Sequence, residues 1–491
     1  MAKLKPQSAL QELSRSPTGI KGLDEITRGG LPTGRPTLVC GSAGSGKTLF
    51  GVEFLVRGAL QYNEPGVFLS FEENADDLTV NVASLGFNLQ ELSSRKKIIL
   101  DHIEINKSEF EETGEYDLEG LFVRLGNEID SIKAKRVVLD TIEVLFSAFS
   151  DSSILRSELQ RLFRWLKDKG VTAVVTAERG NGTLTRYGLE EYISDCVILL
   201  DHRIKDQLST RRIRIIKFRG SVHGVDEYPF LVDKDGISIF PITSLELEQK
   251  ASTERISSGV PALDAMLEGK GYFRGSSILV SGTAGTGKTS LVAHVAEAAC
   301  QRGERCLFLA FEESQGQIIR NMRSIGIDFE PWVKKGLLQF HAVRPTLYGL
   351  EMHLATIHRL ISDFNPALVV FDPVSNFTSM GDNPEVYSML LRLIDFLKVK
   401  GVTSILTNLI SGDTLSEESE VGISSIMDTL VVLRDVEYVN DRTRVLFVLK
   451  SRGMAHSRQF REILFSDRGI DLGPPPIEKL SQAAAGMVSN R

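Results

Sequence analysis

Two copies of one phosphate-binding motif occur in this chain. The segment GSAGSGKT occupies residues 41–48, and GTAGTGKT occupies residues 282–289. Both fit the pattern G-x-x-x-x-G-K-[ST], in which backbone N–H groups and the lysine bind phosphate oxygens while the final hydroxyl holds Mg²⁺. The spacing therefore predicts two complete ATP sites on one polypeptide.

The residues of the two loops are the first candidates for binding ATP. Each loop stands between an apolar run and a helical pattern, which is the context that the motif requires. Thr48 and Thr289 are expected to coordinate Mg²⁺. The candidates are Gly44, Ser45, Gly46, Lys47, Thr48 and Leu49 at the first site, and Gly285, Thr286, Gly287, Lys288, Thr289 and Ser290 at the second.

Two aspartates end apolar runs downstream of the loops. Asp140 closes RVVLD and Asp372 closes LVVFD. A carboxylate at that position fits the second protein ligand on the Mg²⁺ side of a P-loop site, although a strand-terminal Asp can also cap a helix or a turn. The next residues are Thr141 and Pro373, so the catalytic base must come from elsewhere.

Paired carboxylates are the best candidates for that base. Glu72-Glu73 and Glu312-Glu313 follow the matching runs VFLSF and LFLAF. A carboxylate there could orient and deprotonate an attacking hydroxyl. Glu312 is in addition a candidate Mg²⁺ ligand. The alternative is a pair of solvated acids at each strand end.

Two basic triplets form a further set of candidates. In each, a lysine and an arginine alternate along a predicted strand and would share one face beside a glycine. Such cations suit a polyphosphate, supplied as fingers by a neighbouring subunit, unless they only charge a strand edge. The triplets are Lys217-Phe218-Arg219 and Lys450-Ser451-Arg452. His223 and His456 follow and are candidates near the base or sugar, unless both are structural.

The repeat extends over the whole chain. The run ending at Asp140 recurs at Asp372, and the first basic triplet recurs at the second with a similar interval. This predicts a duplicated domain, with one copy in residues 1–245, the other in 246–491, and a polar seam over 242–255. In the first copy, the runs 37–40, 66–71, 135–140, 172–177 and 196–200 predict buried strands, and 158–169 predicts an amphipathic helix. The fold class is therefore α/β, with a mostly parallel sheet flanked by helices in each copy.

Composition excludes several classes of protein. The chain has 491 residues and a formal net charge of −7, which gives no support to nucleic-acid binding. Its four cysteines form no C-x-x-C pair, and no apolar run reaches 18 residues. The first residues lack an apolar signal core, so a cytoplasmic protein without a membrane segment is expected.

The motifs together resemble those of the KaiC family, the tandem RecA-like ATPases and kinases of bacterial clock systems. The resemblance covers residues 15–475. It is carried by the paired loops, the paired FEE motifs and the segments 186–195, 217–230 and 423–429. It implies two RecA-like P-loop NTPase domains and a homohexamer of two stacked rings, with ATP between adjacent subunits.

The resemblance also implies a division of labour. The N-terminal ring would be a slow ATPase. The C-terminal ring would act as a serine/threonine autokinase and autophosphatase on Ser424 and Ser425, with Glu312 as the base. Ser84 and Arg444 match nucleotide contacts of the family.

The chain departs from the family at some positions. The family has an aromatic residue near the second adenine where this chain has Ile325, and Ser-Thr where this chain has Ser424-Ser425. A shorter tail argues against a KaiA-type activator. A KaiB-like partner on the N-terminal ring and a histidine-kinase or response-regulator output remain compatible with the sequence.

Two other function classes stay open from the sequence. One is a RecA-like DNA-dependent ATPase motor, which the acidic balance and the lack of a basic, aromatic-interleaved loop disfavour. The other is a nucleotide-gated scaffold, whose behaviour would not depend on Glu72 or Glu312.

Overall fold

The computed structural model describes residues 13–104, 118–146, 152–180, 182–185, 188, 194–205, 208–241, 251–347, 349–381, 383–410, 422–438, 441–467 and 469–475. The chain divides into two compact units, 1–244 and 245–491, and this division lies inside the polar stretch 242–255. None of the helices in the described ranges combines the length and the apolar character needed to cross a bilayer.

The first domain is built on a nine-stranded sheet, as far as the described residues go. A short hairpin-like pair, β1 (Arg15–Ser16) and β2 (Leu31–Pro32), precedes it. The sheet strands are β3 (Pro36–Gly41), β4 (Gly66–Ser70), β5 (Ile98–His102), β6 (Arg136–Asp140), β7 (Thr172–Glu178), β8 (Cys196–Lys205), β9 (Leu208–Phe218), β10 (Glu227–Asp233) and β11 (Gly236–Ile239). Their order is β11-β10-β9-β8-β3-β7-β6-β4-β5. Strands β3 to β8 are parallel to their neighbours among themselves, and β8 to β11 pair in antiparallel fashion.

Helices cover both faces of this sheet. They are α1 (Leu23–Ile26), α2 (Lys47–Gln61), α3 (Ala75–Ala83), α4 (Leu89–Ser94), α5 (Glu119–Ile132), α6 (Glu143–Phe146) and α7 (Ser152–Asp168). One apolar cluster packs α2 against one face, and a second packs α5 and α7 against the other. Because both faces are covered, β3 is buried at every residue, as its unbroken apolar run predicted.

The second domain repeats this architecture. A short pair, β12 (Arg255–Ile256) and β13 (Tyr272–Phe273), precedes a sheet of nine strands within the described part of the chain. The strands are β14 (Ser277–Gly282), β15 (Cys306–Ala310), β16 (Leu338–Ala342), β17 (Leu368–Asp372), β18 (Thr403–Leu409), β19 (Thr429–Tyr438), β20 (Asp441–Ser451), β21 (Arg461–Ser466) and β22 (Gly469–Leu472). Their order, β16-β15-β17-β18-β14-β19-β20-β21-β22, is the mirror listing of the first sheet.

The helices of the second domain follow the same sequence. They are α8 (Pro261–Met266), α9 (Lys288–Gln301), α10 (Gln315–Arg323), α11 (Glu330–Lys334), α12 (Leu350–Phe364) and α13 (Asn383–Val399), with 3₁₀ turns at Pro345–Leu347, Val374–Ser379 and Ile423–Ser425. Two mostly parallel, helix-flanked sheets confirm the α/β fold class that the repeat predicted. The amphipathic helix also exists, but α7 begins at Ser152 rather than at residue 158.

One local expectation about the strands is wrong. Lys217 and Lys450 lie within β9 and β20, but these strands end at Phe218 and Ser451. Arg219 and its counterpart therefore follow the strands instead of alternating along them. The backbone N–H of each arginine bonds the carbonyl of the aspartate that precedes the neighbouring strand.

Candidate functional site

The first phosphate loop connects β3 to the amino end of α2. Gly46 caps α2 in the left-handed region, with φ at 102°, so the first N–H groups of the helix stay free of a side-chain cap. Lys47 is buried, and its Nζ donates to the carbonyls of Gly41 and Ser42 at 3.0 and 3.1 Å. A cation and free helix N–H groups in one loop form a site for phosphate oxygens.

Asp140 and Thr48 form the side of the site that would hold Mg²⁺. The hydroxyl of Thr48 donates to Oδ2 of Asp140 at 2.7 Å, and Thr176 donates to the other carboxylate oxygen. Burial raises the pKa of Asp140, while these two hydrogen bonds lower it. A buried carboxylate next to a threonine hydroxyl provides oxygen ligands, which suit a cation that is otherwise bound by water and phosphate.

The Glu72-Glu73 pair lies at the carboxyl end of β4, beside Asp140. The hydroxyl of Thr141 donates to Oε1 of Glu72 at 2.9 Å. Glu73 receives a bond from Asn81 at 3.3 Å and is thereby turned toward α3. Both carboxylates are exposed, so each can meet an incoming substrate.

A cavity of about 430 Å³ opens between these groups. Its polar wall includes Lys47, Thr48, Glu72, Glu73, Asn81, Thr141, Glu178 and Arg211, and its apolar wall consists of Leu49, Leu78, Val82, Leu85 and Val232. A pocket that joins a phosphate loop to an apolar wall has the two chemical characters of a nucleotide. The structure therefore brings the predicted loop, carboxylates and metal-side residues together.

The second domain builds a closely similar site. Nζ of Lys288 donates to the carbonyls of Gly282 and Thr283 at 2.8 and 2.7 Å. Burial lowers the pKa of Lys288, and the charges of Asp372 and Glu312 act in the opposite direction. Burial also raises the pKa of Asp372, against hydrogen bonds from Thr407 and Thr289.

The two sites differ at the residue after the metal-side aspartate. Pro373 stands where the first domain has Thr141, and a proline has no hydroxyl to donate. Glu313 still receives bonds from Asn321 at 3.3 and 3.4 Å, as Glu73 does from Asn81. The first candidate base is thus oriented by a hydroxyl that the second one lacks.

The basic triplets lie at the other edge of each sheet. In the first domain, Lys217 pairs with Val197 near the start of β8, while the loop leaves β3 at Gly41, opposite Leu200. In the second, Lys450 pairs with Leu430. Since β8 is parallel to β3 and β19 to β14, these cations lie at the amino ends of strands whose carboxyl ends carry the loops.

Ser424 and Ser425 occupy this amino edge as well. They form a 3₁₀ turn just before β19, and Thr429 lies opposite Ile278 at the start of β14. Lys450 Nζ donates to the Ser424 carbonyl at 2.8 Å, and Arg452 Nη2 donates to the Ser425 carbonyl at 2.6 Å. The predicted phosphorylation sites and the second basic pair are therefore in direct contact within one chain.

An aspartate anchors each of these edges. Asp428 accepts bonds from the Ser277 amide and hydroxyl, both at 2.9 Å, and pairs with Lys398 at 2.9 Å. These interactions lower the pKa of Asp428 against the effect of burial. In the first domain Pro36 has no N–H to offer, and Asp195 lies within 4 Å of Arg35, Lys167 and Arg219 instead.

The remaining predicted residues fall into two groups. Phe218 and Ser451 are buried side chains, so only their backbone could reach a nucleotide. Ser84 is the exposed residue that ends α3, while His223 stacks on Phe218 with ring centroids 6.3 Å apart and His456 is half-buried. Most of the motif 186–195 lies outside the described residues.

Sequence reasoning missed several residues of the first cavity. Arg211 stands in β9 at the position that Arg444 holds in β20, and its Nε has no hydrogen-bond partner among the described residues. The interval between the two basic triplets, applied to Arg444, would have identified it. Thr141, Asn81 and Glu178 carried no such signal, because their roles depend on which strands are neighbours.

Comparison with known proteins confirms the resemblance drawn from the paired motifs. A family model described as "ATPase: KaiC" matches residues 16–244 and again residues 256–477. The chain is 58% identical over 462 residues to circadian clock protein KaiC2 of Synechocystis sp., covering 94% of this chain and 81% of the relative. It is 38% identical to the circadian clock oscillator proteins KaiC of Parathermosynechococcus lividus, over 95% of this chain and 86% of the relative, and of Synechococcus elongatus, over 94% and 89%. The two matched repeats, each with its own phosphate loop, show that the chain belongs to the KaiC family of ATPases.

Proposed function

We propose that this ATPase is a homohexameric clock-type signalling protein with different chemistry in its two rings. The first domain hydrolyses ATP slowly, and the second transfers phosphate to Ser424 and Ser425 and later removes it. ATP lies between adjacent subunits: one contributes its phosphate loop, and the next contributes its lysine–arginine pair. The proposal keeps the domain limits 1–245 and 246–491 for the two activities.

The separation of loop and acceptor serines within one chain carries this proposal. The second loop follows Gly282, whereas the serine turn precedes Thr429, which lies opposite Ile278. Parallel strands rise about 3.3 Å per residue, so the two edges of β14 are on the order of 15 Å apart. A serine at one edge therefore has to use the nucleotide that another subunit binds at its opposite edge.

The residues of the second site suit transfer to a hydroxyl. Lys288 and the N–H groups of α9 would bind the β- and γ-phosphates, while Thr289 and Asp372 would hold Mg²⁺, which supplies charge neutralisation when bound. Glu312 would accept the proton of the serine hydroxyl as its oxygen bonds to the γ-phosphorus and ADP leaves. At the first site Glu72, oriented by Thr141, would orient a water molecule in the same role.

Native mass spectrometry before and after incubation with Mg²⁺-ATP tests the proposal. It reports subunit number, bound nucleotides and added phosphates together. We expect hexamers with up to two phosphates per chain, no phosphate in Ser424→Ala/Ser425→Ala, and loss of hydrolysis in Glu72→Gln. A monomer that hydrolyses ATP at full rate on dilution would contradict the proposal, and a chain indifferent to Glu72→Gln and Glu312→Gln would be a scaffold.

A complementation experiment tests transfer between subunits. Lys288→Ala lacks a working second loop but keeps its serines, and Ser424→Ala/Ser425→Ala has the reverse defect. Neither variant alone should gain phosphate. Hexamers assembled from both, with one chain isotopically labelled, should carry phosphate only on the Lys288→Ala chain. Phosphate on a Lys288→Ala chain by itself would show that the loop is not needed.

The names of the relatives support a role in timing. We propose that the first ring binds a KaiB-like partner and that a histidine kinase or response regulator reads the phosphorylated ring in the cytoplasm. DNA-stimulated hydrolysis would favour a motor instead, whereas hydrolysis that ignores added DNA agrees with a timer.

A further inference from the structure

An exposed aromatic side chain lies on the second phosphate loop. Phe465 is in β21, and a methyl group built on Gly287 would lie 2.5 Å from its Cζ. The ring therefore touches the loop immediately before Lys288, yet 37% of Phe465 remains exposed. Nothing lies within 4 Å of the same point on Gly46 in the first loop.

The position of Phe465 corresponds to a wall of the first cavity. Phe465 pairs with Ile470 in the last hairpin of its domain as Val232 pairs with Ile237 in the first. Val232 lines the first cavity together with Leu78, Val82 and Leu85. The second domain has Ile318, Met322 and Ile325 where the first has these three leucine and valine side chains. The apolar wall is thus repeated, with one aliphatic residue replaced by a phenylalanine.

Arg444 covers part of the same ring. Its guanidinium carbon lies 5.0 Å from the ring centroid, and its Nε lies 3.7 Å from Asp435. A cation over an aromatic face and a carboxylate beside the cation hold the side chain in one orientation. The ring is therefore fixed at the loop and still presents a free apolar surface.

We infer that Phe465 is the residue on which the base of ATP stacks at the second site. The inference rests on the proposed nucleotide site at the second loop. A purine presents a flat π-surface, and its stacking on an aromatic side chain is worth more than its contact with an aliphatic one. The phenylalanine gives the second site a hold on the base that Val232 does not give the first, so the two sites retain ATP differently.

Titration calorimetry with two probes tests this inference in the full chain. Lys47→Ala silences the first loop, and Mg²⁺-ATP is compared with magnesium tripolyphosphate, which lacks a base. In this background Phe465→Val should weaken ATP binding roughly 5- to 100-fold, the range measured for base–aromatic stacking. Tripolyphosphate binding should stay within about 2-fold, and Phe465→Trp should bind ATP at least as well as phenylalanine.

Three results would overturn the inference. Unchanged ATP binding in Phe465→Val would show that the ring does not meet the base. Equal loss, or equal gain, for both probes would show that it acts on the loop itself. Failure of the Lys47→Ala parent to bind ATP would remove the second nucleotide site and with it the proposed function.

Two further variants separate stacking from folding. Leu464→Val changes the exposed neighbour of Phe465 on the other face of the same strand and should leave both probes unaffected. Val232→Phe in a Lys288→Ala background should tighten ATP binding at the first site without affecting tripolyphosphate. A gain of affinity cannot result from misfolding, so its absence would count directly against a stacking role for this position.

Discussion

Glu53 and His294 occupy the same position in the two domains and make the same contact. Each follows its loop lysine at the same interval and reaches the last hairpin of its own domain. Oε2 of Glu53 accepts the backbone N–H of Ile237 at 2.7 Å, and Nε2 of His294 accepts that of Ile470 at 2.8 Å. The same hydrogen bond thus ties the helix after the loop to the final strand, with a buried acid in one domain and a buried base in the other.

The two domains should respond to pH in opposite directions. Burial raises the pKa of Glu53 from 4.5 to about 7, against its contacts with Ile237 and Arg57 and with a smaller push from Asp233. The folded pKa is above the unfolded one, so this stabilisation is complete below about pH 4.5 and lost as pH rises through 7. Burial lowers the pKa of His294 below 6.5, so its contribution is complete above 6.5 and lost as pH falls.

The two tryptophans allow each domain to be followed separately. Trp165 lies in the first domain and Trp332 in the second, so Trp332→Phe and Trp165→Phe each leave one fluorescent reporter. Between pH 6 and pH 8 the first domain should lose on the order of 2 kcal/mol relative to Glu53→Gln, which keeps the acceptor but does not titrate. Below pH 6.5 the second domain should lose stability relative to His294→Gln. Parallel pH profiles for parent and variant would show that neither group titrates on unfolding.

Gly469 should tolerate no side chain, because it lies against His294. Its φ is 102°, and an added Cβ would lie 2.2 Å from Cε1 of the imidazole. Gly469→Ala should therefore destabilise the second domain by about 2–4 kcal/mol, from backbone strain and displacement of the ring. Gly401→Ala is the matched control, since its φ is 66° and its Cβ would meet nothing within 4 Å. Equal losses of free energy of unfolding in the two variants would leave the contact with His294 without effect.

The features that sequence reasoning predicted are those encoded in short segments. The loops, the strand-ending Asp140 and the duplicated fold each depend on a few adjacent residues and on their recurrence. The contact of Lys450 with Ser424 could not be predicted in this way, because it depends on the register of β19 against β20 and on a shift between Leu430 and Val431. Thr141 meets Glu72 only because β4 and β6 are neighbours in the sheet. The place of Phe465 on the second loop likewise depends on where the final hairpin folds.

The hydroxyl of Thr141 should matter for turnover at the first site only. It donates to Glu72 at 2.9 Å, and the second domain has Pro373 at this position. In a Lys288→Ala background, Thr141→Val should lower kcat roughly 10-fold, a part of the 10²–10⁴ that a positioned base contributes, with little change in KM. Thr141→Ser keeps the hydroxyl and should restore most of the rate. If serine and valine slow hydrolysis equally, the threonine acts through packing and not by orienting the base.

Phosphate on Ser425 should be stabilised by the arginine that already bonds its carbonyl. Arg452 Nη2 lies 2.6 Å from that oxygen, Lys450 holds the neighbouring Ser424, and the Ser425 side chain is exposed. A phosphoserine adds roughly 1.5 to 2 negative charges, for which these cations are the nearest counter-charges named at this turn.

A double-mutant cycle can measure this coupling without any kinase activity. Ser425→Glu and Arg452→Met are combined in a Trp165→Phe background, and unfolding of the second domain is followed through Trp332. We expect a coupling free energy of about 0.5–1 kcal/mol, typical of an exposed ion pair, that falls as salt is raised to roughly 0.5 M. Ser425→Gln has the same shape without the charge and should show little coupling. Because glutamate and glutamine differ here only in charge, equal coupling for both would mean that Arg452 positions the serine turn without stabilising its phosphorylated form.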